Sequence, residues 1–289
     1  MTPDESKKAA MNFPKLTRRR FFKGMFAGML GVAGWTRFVE PWWFKTTRRE
    51  VPLGLGGGRL KLLQLSDFHA DPMPLDYLAK CIRAGIAEKP DLICLTGDFI
   101  TEKYGKWDAY AAILAELAKA APTFASLGNH DGGRWSRSFG YADTNAVFGL
   151  LRQAGVRLLH NEAERFENAS GRITLAGLGD VWSGEMKPAA VFDGRKHDAD
   201  VPLVLMSHNP DTKDVLRTYP WDLMLSGHTH GGQLSLPLIG EPFAPVVDKR
   251  YVRDLHRIGD RWLYITAGVG CLHTARFNCR PEISVLTLV

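Results

Sequence analysis

The chain has 289 residues, 45% of them apolar and 24% charged, a composition typical of a folded soluble protein that argues against disorder outside the ends. Residues 1–50 carry 11 basic and 4 acidic side chains, whereas the remaining 26 basic and 27 acidic side chains leave the rest of the chain at a net charge of −1. A nucleic-acid-binding body would show its own basic excess, so we expect no nucleic-acid partner.

The first fifty residues resemble an export signal. The string TRRRFFK at residues 17–23 precedes an apolar, glycine-rich run at residues 24–35. A basic region followed by about 12 apolar residues fits such a signal and is shorter than the roughly 20 residues of a membrane span. Consecutive arginines before Phe-Phe-Lys resemble a bacterial twin-arginine signal, which predicts export by that machinery to the periplasm or cell envelope. The alternative is a basic, disordered tail followed by a hydrophobic helix.

The end of this signal is less distinct. No Ala-x-Ala cleavage site follows the apolar run, and Trp42, Trp43 and Phe44 are of the type found at membrane interfaces. An uncleaved signal that anchors the protein at a membrane surface therefore stays open as an alternative. We assign residues 1–50 to the signal and membrane-proximal segment, residues 51–59 to a glycine-rich linker, and residues 60–289 to the folded body.

The four cysteines form no Cys-x-x-Cys pair, so a thiolate zinc site is not expected. Cys81 lies in a helical pattern and Cys94 in a strand pattern, where buried thiols are common. Cys271 and Cys279 could form a disulfide in an exported protein, but the sequence does not fix their geometry.

From residue 60 onward, apolar runs of strand length alternate with segments of helical period. Strands are predicted at residues 60–66, 91–96, 123–127, 156–160, 173–178, 202–207, 223–226, 262–267 and 283–289. Helices are predicted at residues 75–87, 107–120 and 144–154. The early alternation and the strand-rich second half predict a layered α/β fold with mixed β-sheets packed between helices.

Five short motifs follow predicted strands and carry metal-binding residue types. They are SDFH at 66–69, TGDF at 96–99, LGNHD at 127–131, MSHNP at 206–210 and SGHTHGG at 226–232. Each motif alone is weak evidence, but layered α/β folds gather their sites beyond strand ends, so we expect the five to converge on one cleft. The mixture of carboxylates, an amide oxygen and imidazoles suits Mn²⁺, Fe²⁺ or Zn²⁺ better than Ca²⁺.

This order of motifs resembles the calcineurin-like metallophosphoesterase family over residues 60–289. The resemblance is to a bacterial exported or membrane-associated branch similar to UDP-2,3-diacylglucosamine pyrophosphohydrolases, and RFNCRPEISVLTL at residues 276–288 supports it. It implies two divalent metal ions, with manganese first and iron or zinc as alternatives, and hydrolysis of a phosphodiester or pyrophosphate bond by a metal-bridging hydroxide. The implied ligands are Asp67, His69 and His230 for one ion, Asn129, His208 and His228 for the other, and Asp98 as the bridge.

Three further residues receive roles from the same resemblance. His130 is expected to protonate the leaving oxygen or stabilise the transition state. Asp131 would orient His130, or alternatively stabilise its loop. Arg276, which follows a glycine-rich turn, would bind a substrate phosphate, or alternatively be an ordinary surface arginine.

The string after Gly97 and Asp98 is Phe-Ile-Thr-Glu, without the Val-Asp-Arg-Gly continuation of protein Ser/Thr phosphatases, which favours a diester or pyrophosphate bond. A sharper alternative is a lipid-linked nucleotide-sugar substrate, reached through the membrane-proximal segment. A non-enzymatic alternative is a metal-free scaffold of the same fold, which would be expected to lack ligands or His130.

Overall fold

A computed structural model of the chain describes residues 17–193 and 200–289. Its helices are α1 Arg18–Phe38, α2 Leu75–Ile86, α3 Trp107–Ala120, α4 Asn145–Gln153, α5 Pro188–Phe192 and α6 Thr212–Val215. Its strands are β1 Lys45–Val51, β2 Leu60–Leu65, β3 Leu92–Thr96, β4 Thr123–Ser126, β5 Arg157–Leu158, β6 Glu162–Asn168, β7 Gly171–Gly177, β8 Leu203–Met206, β9 Leu223–Ser226, β10 Asp254–Ile258, β11 Arg261–Ile265 and β12 Glu282–Leu288.

The strands form two mixed sheets of six. The first has the order β1-β12-β2-β3-β4-β5, in which β2 to β5 run parallel and β12 is antiparallel to β2. The second has the order β10-β11-β9-β8-β7-β6, with β7, β8, β9 and β11 parallel and antiparallel hairpins at both edges. The central strands are continuous apolar runs because both of their faces are covered.

The two sheets pack face to face between helices. Leu62 and Cys94 of the first sheet share one buried cluster with Val204 and Leu225 of the second. Helices α2, α3 and α4 cover the other face of the first sheet, and α5 and α6 lie against the second. The predicted layered α/β fold is confirmed, with three predicted helices and nine predicted strands at or near their expected positions.

The folded body begins earlier than the predicted boundary at residue 60. Strand β1 pairs in parallel with β12 along its whole length, from Lys45 opposite Glu282 to Val51 opposite Leu288. The predicted division of residues 1–50 from the body therefore cuts through a strand and is wrong there. The sequence of β1, KTTRREV, has no apolar run because it is an edge strand with mostly exposed side chains.

Helix α1 is the most exposed element of the chain. The Thr17 hydroxyl caps it by accepting a hydrogen bond from the backbone N–H of Arg20, at 3.4 Å, and no residue of the helix is buried. At its far end the helix is tied to the body, because the buried carboxylate of Glu40 accepts hydrogen bonds from the Trp35 indole and the Cys279 backbone. Among the described residues, the structure has no helix long and apolar enough to span a membrane.

Candidate metal centre

The predicted ligands lie where strands of both sheets end. Asp67, Asp98 and Asn129 follow β2, β3 and β4, while His208 and His228 follow β8 and β9. Together with His69 and His230, all seven are at most 5% exposed. Parallel strands direct their carboxyl ends to one edge, so the fold brings residues 161 positions apart into one site.

The backbone at this site is held in an uncommon conformation. Five of the seven residues have φ angles between 48° and 68°, namely Asp67, His69, Asp98, His228 and His230. Non-glycine residues seldom adopt this left-handed region, which costs of order 1–3 kcal/mol each and persists mainly at functional sites. The concentration of five such residues in one site is consistent with a functional role, although other loops of the chain also contain residues of positive φ.

One group of ligand atoms is formed by Asp67, His69 and His230, whose ligand atoms lie within 4.8 Å of one another. The Nε2 atoms of His69 and His230 are 3.1 Å apart, and His230 Nε2 lies 3.5 Å from Asp67 Oδ1. Two imidazole nitrogens and a carboxylate oxygen at this spacing are a suitable set of ligands for a divalent cation.

A second group is formed by Asp98, His208 and His228, again within 4.8 Å. His208 Nε2 lies 3.1 Å from Asp98 Oδ2, and the same oxygen lies 3.6 Å from His69 Nε2 in the first group. Asp98 therefore borders both groups. The buried Asn129 Oδ1 has no hydrogen-bond donor among the described residues, so an amide oxygen is left for a cation.

Hydrogen bonds on the opposite ring nitrogens fix how the histidines face the site. His69 Nδ1 lies 3.0 Å from the Thr101 hydroxyl, and His208 Nδ1 donates to the Thr96 carbonyl at 2.6 Å. His228 Nε2 donates to the Pro245 carbonyl at 3.1 Å, which leaves Nδ1 as its free atom. Such contacts hold metal-ligating imidazoles in the right tautomer and orientation.

Charge at the site also suits a cation. Burial lowers the pKa of His228 to about 3 and keeps the pKa of His69 and His230 well below the usual imidazole range, so all three are neutral. Burial lowers the pKa of His208 as well, but the adjacent Asp98 carboxylate outweighs it and leaves this pKa raised. A cation bound between Asp98 and His208 would take the place of that proton.

Two glycines allow the loops to pack against the carboxylates. A Cβ atom on Gly128 would lie 2.2 Å from Asp98 Oδ1, and one on Gly227 would lie 2.3 Å from Asp67 Oδ2. Any side chain there would displace a ligand group, which explains why these loop positions carry glycine.

His130 faces the cleft beside the two groups and is 7% exposed. Its Nδ1 donates to the Thr101 carbonyl at 2.8 Å, and its ring packs edge-on against Trp135 at a centroid distance of 4.5 Å. Nε2 is thus the nitrogen left for a substrate. Thr101 positions His69 through its hydroxyl and His130 through its backbone carbonyl, and it lies outside the five motifs that the sequence analysis identified.

The predicted role of Asp131 as the partner of His130 is wrong. Its carboxylate accepts backbone N–H hydrogen bonds from Asp98 at 2.8 Å, Phe99 at 2.7 Å, Gly128 at 2.7 Å and Ile100 at 3.4 Å. Asp131 therefore ties the loop after β4 to the loop after β3, and it positions Asp98. This is the loop-stabilising alternative considered from the sequence.

The predicted role of Arg276 in substrate binding is also wrong, because its side chain is completely buried. Its terminal nitrogens donate to backbone carbonyls of His230 at 3.1 Å, Ala267 at 2.7 Å, Gly270 at 2.6 Å and Cys279 at 3.0 Å. The guanidinium thus joins the turn that carries His230 to the loop at 267–270. The cysteines on either side, at 271 and 279, are buried free thiols and are not joined.

We expect Arg276→Met to lower the free energy of unfolding by about 3 kcal/mol or more, since it leaves several buried carbonyls without a donor. Urea denaturation of the purified variant measures this change. Arg257→Met, at an exposed arginine of β10, is the control and should stay within about 0.5 kcal/mol of the wild type. A raised KM with unchanged stability would instead restore the substrate-binding role.

A cleft of 460 Å³ opens beside the centre. Asp98, Asn129, His130, His228 and His230 form its polar end. Its walls are mainly apolar and aromatic, from Trp135, Phe139, Trp182, Leu234, Phe243 and Leu272. A ligand with a phosphoryl group at the polar end would place its neighbouring groups against apolar side chains.

Comparison with known proteins identifies the arrangement. The model of the calcineurin-like phosphoesterase family matches residues 60–232, more than half of the chain, and this range contains all seven clustered residues. This chain belongs to the calcineurin-like phosphoesterase family. It is therefore a metal-dependent phosphoesterase, and the unpartnered Asn129 oxygen and the neutral histidines fit the divalent ions that the family uses.

Three relatives extend across most of the chain. The phosphodiesterase YaeI of Escherichia coli (strain K12) is 40% identical over 279 residues, which is 95% of this chain and 100% of that protein. The uncharacterized metallophosphoesterase YkuE of Bacillus subtilis (strain 168) is 33% identical, over 95% of this chain and 98% of that protein. The UDP-2,3-diacylglucosamine pyrophosphatase LpxG of Chlamydia muridarum is 26% identical, over 87% and 91%.

Proposed function

We propose that this phosphoesterase hydrolyses a phosphodiester or pyrophosphate bond at the cell envelope, using two divalent cations of which manganese is the first candidate. The observation that carries the proposal is the convergence of two ligand groups on the shared carboxylate of Asp98. One relative is named as a phosphodiesterase and another as a pyrophosphatase, which supports hydrolysis of a bond of this type. A metal-free scaffold is disfavoured because every predicted ligand is present and buried in the centre, and His130 lines the cleft beside it.

The proposed assignment divides the seven residues between two cations. Asp67, His69 and His230 would hold one cation, Asn129, His208 and His228 the other, and Asp98 both. When bound, two such cations supply positive charge to the phosphoryl oxygens and lower the pKa of a water molecule. The mixed nitrogen and oxygen donors suit manganese, and they suit iron and zinc as alternatives.

His130 supplies the proton-transfer group. Because Nδ1 is held by the Thr101 carbonyl, a proton on Nε2 points into the cleft where the leaving oxygen of a bound substrate would lie. Transfer of that proton to the leaving oxygen would neutralise the charge that develops there as the bond to phosphorus breaks. Trp135 packs edge-on against the imidazole ring of His130 and limits the rotation of that ring.

The apolar walls favour a substrate with an apolar group near the scissile bond. A lipid-linked nucleotide sugar, as in the name of LpxG, is the sharper alternative. The basic and apolar helix α1 would bring the enzyme to a membrane surface that carries such a substrate. The proposed export by the twin-arginine pathway favours the broader class of envelope phosphodiesters, because nucleotide-sugar substrates are usually cytoplasmic.

Metal content and turnover test the proposal together. We expect the purified full chain to hold about two ions and to hydrolyse bis-p-nitrophenyl phosphate. Removal of metal by a chelator should abolish turnover and lower Tm by at least about 5 °C, because ion binding stabilises only the folded state. Manganese should restore both. A folded chain that binds no supplied cation and hydrolyses nothing would favour the scaffold.

The proposed export signal is tested by replacing its arginine pair, Arg18 and Arg19. Arg18→Lys with Arg19→Lys should leave the protein in the cytoplasm, because the receptor reads the arginine pair and not the charge alone. Cell fractionation measures the exported share. Arg48→Lys with Arg49→Lys, a second arginine pair on strand β1, should leave export unchanged. Equal export of both variants would favour a basic tail over a signal.

A further inference from the structure

A single loop carries most of the exposed apolar side chains of the folded body. Beyond residue 43, the described chain exposes five large apolar side chains, of which Val215 stands alone on α6. The other four belong to residues 236–247, the apolar loop, and they are Leu238 at 108%, Ile239 at 69%, Phe243 at 68% and Val247 at 88% exposure. Contiguous exposure of this kind marks a binding surface.

The exposure is imposed by a structured backbone. Leu236 and Gly240 exchange backbone hydrogen bonds of 2.8 and 2.9 Å, which close a tight turn with Leu238 and Ile239 at its tip. Leu238 is held there with φ at 67°. Ala244 is buried in a small cluster beneath the loop. The hydrogen-bonded turn therefore presents the two apolar side chains at its tip to the surroundings.

The charge of the apolar loop is already neutralised within the protein. Glu241 is its only acidic residue, and this carboxylate accepts hydrogen bonds from Arg253 and the Ser235 hydroxyl, both at 2.8 Å. No unpaired carboxylate therefore opposes the approach of the tip to an apolar or anionic surface. Contact with a lipid interface would not require the burial of an unpaired charge.

The apolar loop and helix α1 are held by the same segment of chain. Ser235 donates its backbone N–H to Phe277 at 2.8 Å, while the Arg276 backbone N–H donates to Thr36 of α1 at 3.0 Å. Helix α1 contains five basic residues and no acidic residue, and its phenylalanines are exposed. The apolar loop and the C-terminal end of α1 are thus anchored to adjacent residues, and an apolar loop together with a cationic, apolar helix is complementary to a bilayer with anionic headgroups.

We propose that the apolar loop inserts its tip, Leu238 and Ile239, into the interface of a bilayer that contains anionic lipids. The loop acts as a second contact beside α1, and it also forms a wall of the cleft through Phe243 and Pro245. A bilayer bound by the tip would lie beside the mouth of the cleft. An effect of this membrane contact on catalysis rests on the proposed function, whereas the contact itself does not require turnover.

A fluorescent probe at the tip tests insertion in the full chain. The four native cysteines are buried, so a thiol-reactive, environment-sensitive fluorophore would label Leu238→Cys selectively. With vesicles of phosphatidylcholine and phosphatidylglycerol that carry an acyl-chain nitroxide, we expect blue-shifted emission and several-fold stronger quenching than for Val215→Cys. A label that stays in water while the chain sediments with the vesicles would overturn the proposal.

A double variant measures the contribution of the tip. Leu238→Ser with Ile239→Ser should weaken vesicle partition of the full chain by about tenfold, because two apolar side chains no longer leave water. Its turnover of the soluble diester bis-p-nitrophenyl phosphate should equal that of the wild type. Unchanged vesicle partition of the double variant would refute the proposal. Burial of the Leu238→Cys label without vesicles, increasing with protein concentration, would also refute it, because it would show that a second copy of the chain covers the tip. If the wild type itself does not hydrolyse the diester, that result would count against the proposed function and not against the membrane contact.

Discussion

Asp98→Asn should lower kcat/KM for bis-p-nitrophenyl phosphate by about 10³-fold or more, and bound metal from about two ions to fewer than one per chain. The reason is the position of Asp98 Oδ2, which lies 3.1 Å from His208 Nε2 and 3.6 Å from His69 Nε2. Removing this charge weakens both ion sites at once. Elemental analysis and steady-state kinetics on the same preparation measure the two effects.

The substitution is chosen to keep the local backbone. Asparagine tolerates the left-handed conformation of residue 98, with φ at 55°, and its amide oxygen can still accept the 2.9 Å hydrogen bond from the His130 backbone. Asp71→Asn, at an exposed carboxylate near the first motif, is the matched control and should retain both metal and activity. Two ions and wild-type turnover in Asp98→Asn would refute the shared-carboxylate arrangement.

His130→Gln should lower kcat by about 10²-fold or more for diesters with a poor leaving group, while both metal ions are retained. The effect should be much smaller for p-nitrophenyl esters, whose leaving oxygen needs little help from a proton. A series of diesters of increasing leaving-group pKa measures this dependence. The expected pattern separates a proton donor from a residue that merely shapes the cleft.

Phe139→Leu provides the comparison for His130→Gln, because Phe139 lines the same cleft and packs near the His130 ring without an ionisable group. It should change kcat by a similar, small factor for every leaving group. If His130→Gln instead loses metal, or slows all substrates equally, the residue positions the centre and does not donate a proton.

The parts of the fold and site that sequence predicts are those with strong local signals. Central strands such as β3, LICLT, are buried on both faces and therefore appear as apolar runs. Asp67, Asp98, Asn129, His208 and His228 were identified because each directly follows such a run. Because active sites of layered α/β folds lie beyond strand ends, these five residues are predicted to share one site.

The edge strands β1 and β10 gave no comparable signal. Strands β1, KTTRREV, and β10, DLHRI, each pair on one side only and leave most of their side chains in or near water. Their polar side chains suit the solvent-exposed edge of a sheet, but without the structure the same sequences resemble loops. This is why the predicted body began at residue 60 and not at residue 45.

Local sequence is enough to establish which residue types follow which strands, and hence the family and the chemistry of the ligands. The partners of Asp131 and Arg276 depend on packing, because they are backbone N–H and carbonyl groups, which every residue offers. The same holds for the tip of the apolar loop, because Leu238 and Ile239 are residue types that are usually buried and only the fold leaves them exposed. Burial is a property of the neighbours that the fold assembles, and local sequence does not contain them.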